Sequence, residues 1–162
     1  MKSLLTNCTY LEDESLEVLG IKFYASPWQP RFSNSAFNLS RGLELRTVWD
    51  KIPSDTDVLI THSPPLGVLD LCRKHTEDGG TIPAGRSGCE DLIHQVVERI
   101  RPKVHVFGHV HEGGWWEGGA VVNSHLSGYG VVTNGQTVFI NASTCNKKYQ
   151  PENPPLVFTL RK

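Results

Sequence analysis

The chain has 162 residues, a formal charge of -1, a hydrophobic fraction of 38% and a sequence pI near 6.6. These values fit one globular domain, argue against a nucleic-acid polymer as partner, and come with no apolar run long enough to cross a bilayer. The N-terminus turns polar before a signal-peptide core could form, so a cytoplasmic location is expected. Cys8, Cys72, Cys89 and Cys145 are too scattered for a zinc ribbon or redox dithiol and are expected to be free and mostly buried.

Thr9-Tyr10-Leu11 and Leu16 to Ala25 read as the two strands of a hairpin joined through the acidic turn Glu12-Asp13-Glu14-Ser15. Prolines in Ser26-Pro27-Trp28-Gln29-Pro30 end the second strand, and a polar loop runs on to about Asn38. Trp28 and Phe32 could line a pocket, but large aromatics are more often packing, so they are expected to cover the sheet edge. From Ser40 as N-cap, Leu45, Val48, Trp49 and Ile52 recur at helical spacing and predict an amphipathic helix that ends before Pro53.

Asp57-Val58-Leu59-Ile60-Thr61 is a short apolar strand of the kind buried on both faces, with His62 at its carboxyl end. A long linker containing Gly79-Gly80 leads to a capping-box pattern at Ser87-Gly88-Cys89-Glu90. Leu92, Ile93, Val96, Val97 and Ile100 then form one helical face that stops at Pro102. The strand Val104 to Phe107 follows and reaches Gly108, where the backbone can turn sharply into His109, a spacer and His111. Strand, helix, strand makes a parallel βαβ unit, so His62, His109 and His111 are expected on one sheet edge, where ligands bind in such folds. Imidazoles so placed invite a metal. An extended backbone past Gly108 would aim both later histidines to one side, and a loop would turn them toward two neighbouring ions.

Residues Glu112 to Gly119 read as a flexible Gly-rich loop. Asn134-Gly135 predicts a hairpin between Gly130 to Thr133 and Gln136 to Ile140, and Leu156 to Leu160 reads as a last strand. His75, His94, His105 and His125 lie on a linker, a helix, a strand interior and a loop, and are assigned no chemistry.

Taken in order, Ser26-Pro27-Trp28, Thr61-His62-Ser63-Pro64-Pro65-Leu66-Gly67, Gly108-His109-Val110-His111 and Asn141-Ala142-Ser143-Thr144-Cys145 resemble the C-terminal motifs of the calcineurin-like metallophosphoesterases. The metallophosphoesterase domain-containing proteins match best. The resemblance implies an α/β chain forming the C-terminal portion of a four-layer α/β/β/α fold with mixed β-sheets, so that residues 1-162 are a single partial domain. It further implies that His62 and His109 bind one divalent metal and His111 its neighbour. The metals would be manganese, iron or zinc, which these residue types do not distinguish. The implied reaction is two-metal hydrolysis of a small-molecule phosphoester, cyclic nucleotides being the class the resemblance suggests.

The departures from that family are as informative. Its Asp-x-His, its Gly-Asp with the bridging carboxylate, and its Gly-Asn-His-Glu or Gly-Asn-His-Asp do not occur here. Three neutral imidazoles hold two dications poorly, so metal is expected to bind at most weakly and phosphodiesterase activity to be impaired or absent in what reads as a truncated chain. Missing strands would expose an apolar sheet edge and face, which invites a partner chain or self-association. The alternative is a non-catalytic binding or interaction protein that retains part of the fold. The stretch 114-127 reads as an insertion beside the site. A metallo-β-lactamase type of hydrolase would want Asp and His soon after His-x-His, and Glu112-Gly113-Gly114 argues against it.

Overall fold

The computed structural model describes residues 4-75, 81-111 and 128-160. The first hairpin pairs β1 (Glu14–Val18) with β2 (Ile21–Ser26) antiparallel, Leu16 facing Phe23. Its turn is Leu19-Gly20, both at positive φ (52° and 75°), the two-residue geometry whose twist matches the strands. The acidic segment expected as the turn instead enters β1. Asp13 receives Ser26 Oγ at 2.6 Å and Trp28 Nε1 at 2.8 Å, while its amide donates to the Ala25 carbonyl.

The expected polar loop contains two short strands, β3 (Gln29–Pro30) and β4 (Asn38–Leu39), paired parallel. Helix α1 (Leu43–Trp49) follows, and Leu45, Val48, Trp49 and Ile52 are buried as their spacing predicts. Ser40 is not the cap. Its amide is taken by the Glu44 carboxylate, and Gly42 occupies the N-cap position.

Strand β5 (Val58–Thr61) buries Val58 on one face and Leu59 and Thr61 on the other, as expected of a strand covered on both, except that Ile60 on the Val58 face is 37% exposed. The expected linker folds as a hairpin of β6 (Leu71–His75) and β7 (Thr81–Arg86), with a bulge at Cys72/Arg73; Gly79-Gly80 lies outside the described residues. Helix α2 (Glu90–His94) continues as a π-helical segment Gln95–Ile100 and ends at Arg101, whose left-handed φ of 51° precedes Pro102. Ser87 does not cap α2, because its N–H and Oγ–H both donate to the Asp70 carbonyl.

Strand β8 (Val104–Phe107) comes next, and β9 (Gly130–Thr133) and β10 (Val138–Asn141) form the expected hairpin around Asn134-Gly135. No ladder forms at 156-160. The residues just before it are tethered by Asn153 Nδ2 to the Ser143 and Cys145 carbonyls and by the Tyr129 hydroxyl to the Pro154 carbonyl, and Pro154 and Pro155 there have no N–H to give a ladder.

Six strands make one mixed sheet in the order β1-β2-β5-β8-β10-β9. The four central strands are parallel, with Phe23, Val58, Val104 and Val138 in register, and the two edges are antiparallel. Tyr24, Leu59, Phe107, Phe139 and Val132 pack from one sheet face against Leu45 and Trp49 of α1 and Leu92, Val96 and Ile100 of the second helix, forming the core. All four cysteines are free, but only Cys89 is buried, where it accepts Trp49 Nε1; Cys8 is exposed and Cys72 and Cys145 are intermediate, against the expectation of mostly buried thiols. Among the described residues no helix is long and apolar enough to cross a membrane.

His105 is wholly buried inside this sheet. Thr61 Oγ donates its one hydrogen to the Ser63 carbonyl at 2.8 Å, so at 2.9 Å it accepts from His105 Nε2–H, which leaves Nδ1 as an unpartnered acceptor.

Two predictions follow from this packing. A Cβ at Gly88 would sit 2.5 Å from the Pro65 carbonyl oxygen and 2.6 Å from both Asp70 Oδ2 and Leu66 Cα, whereas at Gly108 nothing comes closer than 3.5 Å. Gly88→Ala is therefore expected to lose about 1-3 kcal/mol in urea unfolding and Gly108→Ala much less; equal losses would contradict the packing. The second concerns acid. Burial pushes the His105 pKa down to about 3 from its ordinary 6.5. Between those values the unfolded chain binds a proton that the folded chain refuses, so stability falls with pH by up to about 1.4 kcal/mol per unit. His105→Gln should flatten that dependence in urea midpoints taken from about pH 7 down to about pH 4, and an unchanged slope would refute the assignment.

Candidate functional site

Because β2, β5, β8 and β10 are parallel, their carboxyl ends open on one edge of the sheet. His62 follows β5 directly. The Gly108 amide donates to the His62 carbonyl at 3.0 Å, which ties the segments leaving β5 and β8 together. The turn expected at Gly108 closes one residue later: Val110 N–H returns to the Gly108 carbonyl at 2.8 Å, and His109 takes the positive φ of 70°. For a side-chain-bearing residue that conformation is strained and must be held by its surroundings.

What holds it comes from the end of β10. Asn141, fully buried, donates Nδ2–H to the Val110 carbonyl at 3.1 Å and accepts the Ser143 N–H at 3.0 Å; Ser143 Oγ lies 3.1 Å from the same Val110 carbonyl. Ala142 N–H donates to the Phe107 carbonyl at 2.7 Å. In the sequence Asn141-Ala142-Ser143 stands out only as part of the family-like segment 141-145. A short buried Asn-x-Ser at the carboxyl end of a core strand was the available sign of this clamp.

The result brings His62 and His109 side by side, ring centroids 5.1 Å apart and planes at 64°. His111 lies with its ring 5.2 Å from that of Tyr149. Desolvation, and secondarily the charge of His111, lowers the pKa of His62 even though its ring reaches solvent. For His109 desolvation again leads, followed by His62 and His111, and the value falls to about 4. Both rings are therefore neutral at neutral pH and keep a lone pair for a metal.

A cavity of about 400 Å³ opens against these two rings, walled by Pro27, Gln29, Phe32 and Phe37. Phe32 was expected to cover the sheet edge. It instead stands edge-on to His109 at 5.0 Å, because Asn38 Oδ1 accepts the Phe32 N–H while Nδ2 donates to the Phe32 and Ser33 carbonyls, folding the loop back. Trp28 does pack, bonded to Asp13 and edge-on to Phe37. Of the histidines assigned no chemistry, His94 pairs with Glu98 on the helix surface, His105 is the core residue described above, and His125 lies outside the described residues, as do the Gly-rich loop and the insertion at 114-127.

Among the described residues no group of three or more His, Cys, Asp or Glu is placed to hold a metal ion. Two adjoining neutral imidazoles are suitable donors. Alone they are a fragment of a coordination shell and do not make a metal centre.

Along nearly its whole length the chain is homologous to curated proteins named metallophosphoesterase domain-containing protein 1 and to UPF0046 proteins, in agreement with the resemblance of its motifs. One relative is the Homo sapiens metallophosphoesterase domain-containing protein 1, 44% identical over 160 residues, which is 99% of this chain and 42% of that protein. Two UPF0046 proteins of Caenorhabditis elegans are 43% and 40% identical over 98% and 97% of this chain. The chain spans 34% and 48% of their respective lengths, so less than half of each of these relatives is represented. No family model matches.

Removing the clamp should release the turn. Asn141→Ala strips the Val110 carbonyl of a buried donor at a cost of about 1-3 kcal/mol, and it should shift the His109 ring-proton resonances in NMR spectra, whereas exposed Asn34→Ala should do neither. An unaltered His109 signal in the folded variant would show that Asn141 does not set its position.

Proposed function

We propose that His62, His109 and His111 form the histidine part of a divalent-metal site that hydrolyses small-molecule phosphoesters, and that this chain alone is impaired in that reaction. The observation that carries the reading is the pair of neutral imidazoles 5.1 Å apart where two parallel strands open onto a cavity. The relatives' name supports the metal and the phosphoester. Manganese, iron or zinc would suit imidazole, and a bound ion would polarise the phosphoryl oxygen and activate water. The described donors stop short of a full shell, so the residues supply the imidazoles of His62, His109 and His111, an apolar wall and a strained turn that fixes the His109 ring.

In this reading residues 1-162 are a single partial domain of the four-layer α/β/β/α fold. Its substrates extend to cyclic nucleotides, it works in the cytoplasm, and it has neither membrane nor nucleic-acid polymer as partner. A partner chain or second copy would cover the sheet face that leaves Ile60 and Val131 37% and 38% exposed. The second reading, a non-catalytic binding protein, is favoured by the incomplete donor set among the described residues.

The test is metal binding followed by elemental analysis after dialysis. The 162-residue chain should retain no more than about one equivalent of manganese or zinc, weakly. His62→Ala and His109→Ala should abolish even that, His111→Ala should reduce it, and His94→Ala should leave it unchanged. Two tightly held equivalents, or ready hydrolysis of bis(p-nitrophenyl)phosphate by this chain with manganese, would overturn the impaired state; equal losses in all four variants would overturn the ligand assignment.

A further inference from the structure

The cavity has a chemistry that the histidines do not explain. Its walls are Pro27, Phe32, Ala36 and Phe37 with Gln29 and Ser35, and among the described residues no Lys, Arg, Asp or Glu lines it. Any charge on a bound phosphoester must therefore be met elsewhere, and what fills this space gains most by being uncharged and apolar. Phe32 offers a ring that is 56% exposed, and Phe37 offers a second at 37%. An aromatic ring can stack on or meet the edge of such a surface.

The wall is also built rather than incidental. Besides the Asn38 clamp on Phe32 and Ser33, Gln29 N–H donates to the Phe37 carbonyl at 3.0 Å and Arg31 N–H to the Leu39 carbonyl at 2.9 Å, so the loop is bonded across its base at alternate residues. Gln29 is buried and gives Nε2–H to the Ala36 carbonyl, while its own carbonyl oxygen has no partner.

We infer that the hollow between residues 27-37 and the His62/His109 pair is a subsite for a flat, uncharged aryl group, with Phe32 as its specificity-determining side chain. This rests on the phosphoesterase reading only for the identity of the group as the alcohol portion of a phosphoester. The aryl ring lies against Phe32 and Phe37, its ester oxygen toward the imidazoles. Phosphoesters of flat aromatic alcohols are then preferred over those of glycerol or other polyols, which would leave the apolar walls unmatched.

Binding of the alcohol portion can be read without metal or turnover. p-Cresol, neutral and carrying one hydroxyl donor, should perturb the ring protons of His62 and His109 in NMR titrations of the 162-residue chain, and glycerol at the same concentration should not. Phe32→Ala should weaken cresol binding about tenfold; exposed Phe158→Ala, outside the cavity, should leave it unchanged. The fold of each variant is checked in the same spectra. Absence of any perturbation by cresol, equal effects of cresol and glycerol, or full binding by folded Phe32→Ala would each overturn the subsite. Hydrolysis is scored separately: aryl binding that depends on Phe32, with no phosphodiester cleaved by a metal-loaded longer form, would leave the subsite standing and remove the phosphoesterase reading.

Discussion

Everything placed at the site depends on the register of four parallel strands. Phe23, Val58, Val104 and Val138 lie in one row, so the chain leaves β2, β5, β8 and β10 on the same side of the sheet. Right-handed crossover connections make this the arrangement expected of alternating strands and helices, and the helices pack against Tyr24, Leu59, Phe107 and Phe139 on one sheet face. A slip of one residue in β8 would send His105 out of its buried place and turn Val104 and Val106 toward the helices. The bond from His105 to Thr61 therefore helps specify the register as well as filling space. It joins β8 to the strand that ends at His62.

On that frame, the strain at His109 is offset locally. A residue with a Cβ at φ 70° costs free energy, and the Val110 carbonyl beyond it would cost more if left unmet in the interior. Asn141 and Ser143 converge on that carbonyl from β10, the strand hydrogen-bonded to β8. The clamp thus uses the parallel pairing itself. It also links the site to the chain end, since Asn153 holds the Ser143 carbonyl and Asn146 gathers residues 148 to 152 around its side chain.

The parts of this arrangement that were legible in the sequence are those governed by periodicity and by the parallel-sheet rule. Leu45, Val48 and Trp49, or Leu92, Val96 and Ile100, announce a helix face because burial selects one side of a 3.6-residue repeat. His62 and His109 meet because each follows a short apolar strand in one βαβ unit. What was not legible depends on competition among local bonds. Ser40 and Ser87 have the chemistry of caps, but the Glu44 carboxylate and the Asp70 carbonyl reach them first. The turn at Leu19-Gly20 prevailed over the acidic segment because two adjacent residues there take positive φ, which a lone Gly after Leu signals weakly. Leu156 to Leu160 has strand composition but pairs with no strand among the described residues, and composition does not reveal a partner. Phe32 turned toward the histidines because of Asn38, six residues on, whose amide imitates a strand partner for the Phe32 peptide.

The same competition separates the two halves of the site in kind. The histidine half is spare: two neutral rings whose basicity is depressed by burial and then by neighbouring imidazoles, His111 acting on His62 and both His62 and His111 acting on His109, with no carboxylate among the described cavity-lining residues to raise it. In a site that keeps imidazoles neutral, a cation meets less repulsion than among charged rings but gains no Coulomb attraction either, so its affinity depends on how many further donors are brought to it. The wall from Pro27 to Phe37 is the opposite. Pro27, Phe32, Ala36 and Phe37 make most of its lining apolar, and its backbone is fixed by bonds that involve no metal, including the Gln29 and Arg31 amides and the Asn38 carboxamide. In the proposed reading, metal affinity and recognition of the apolar group would therefore rest on different bonds, so that a chain with an incomplete donor set would still present the shaped cavity.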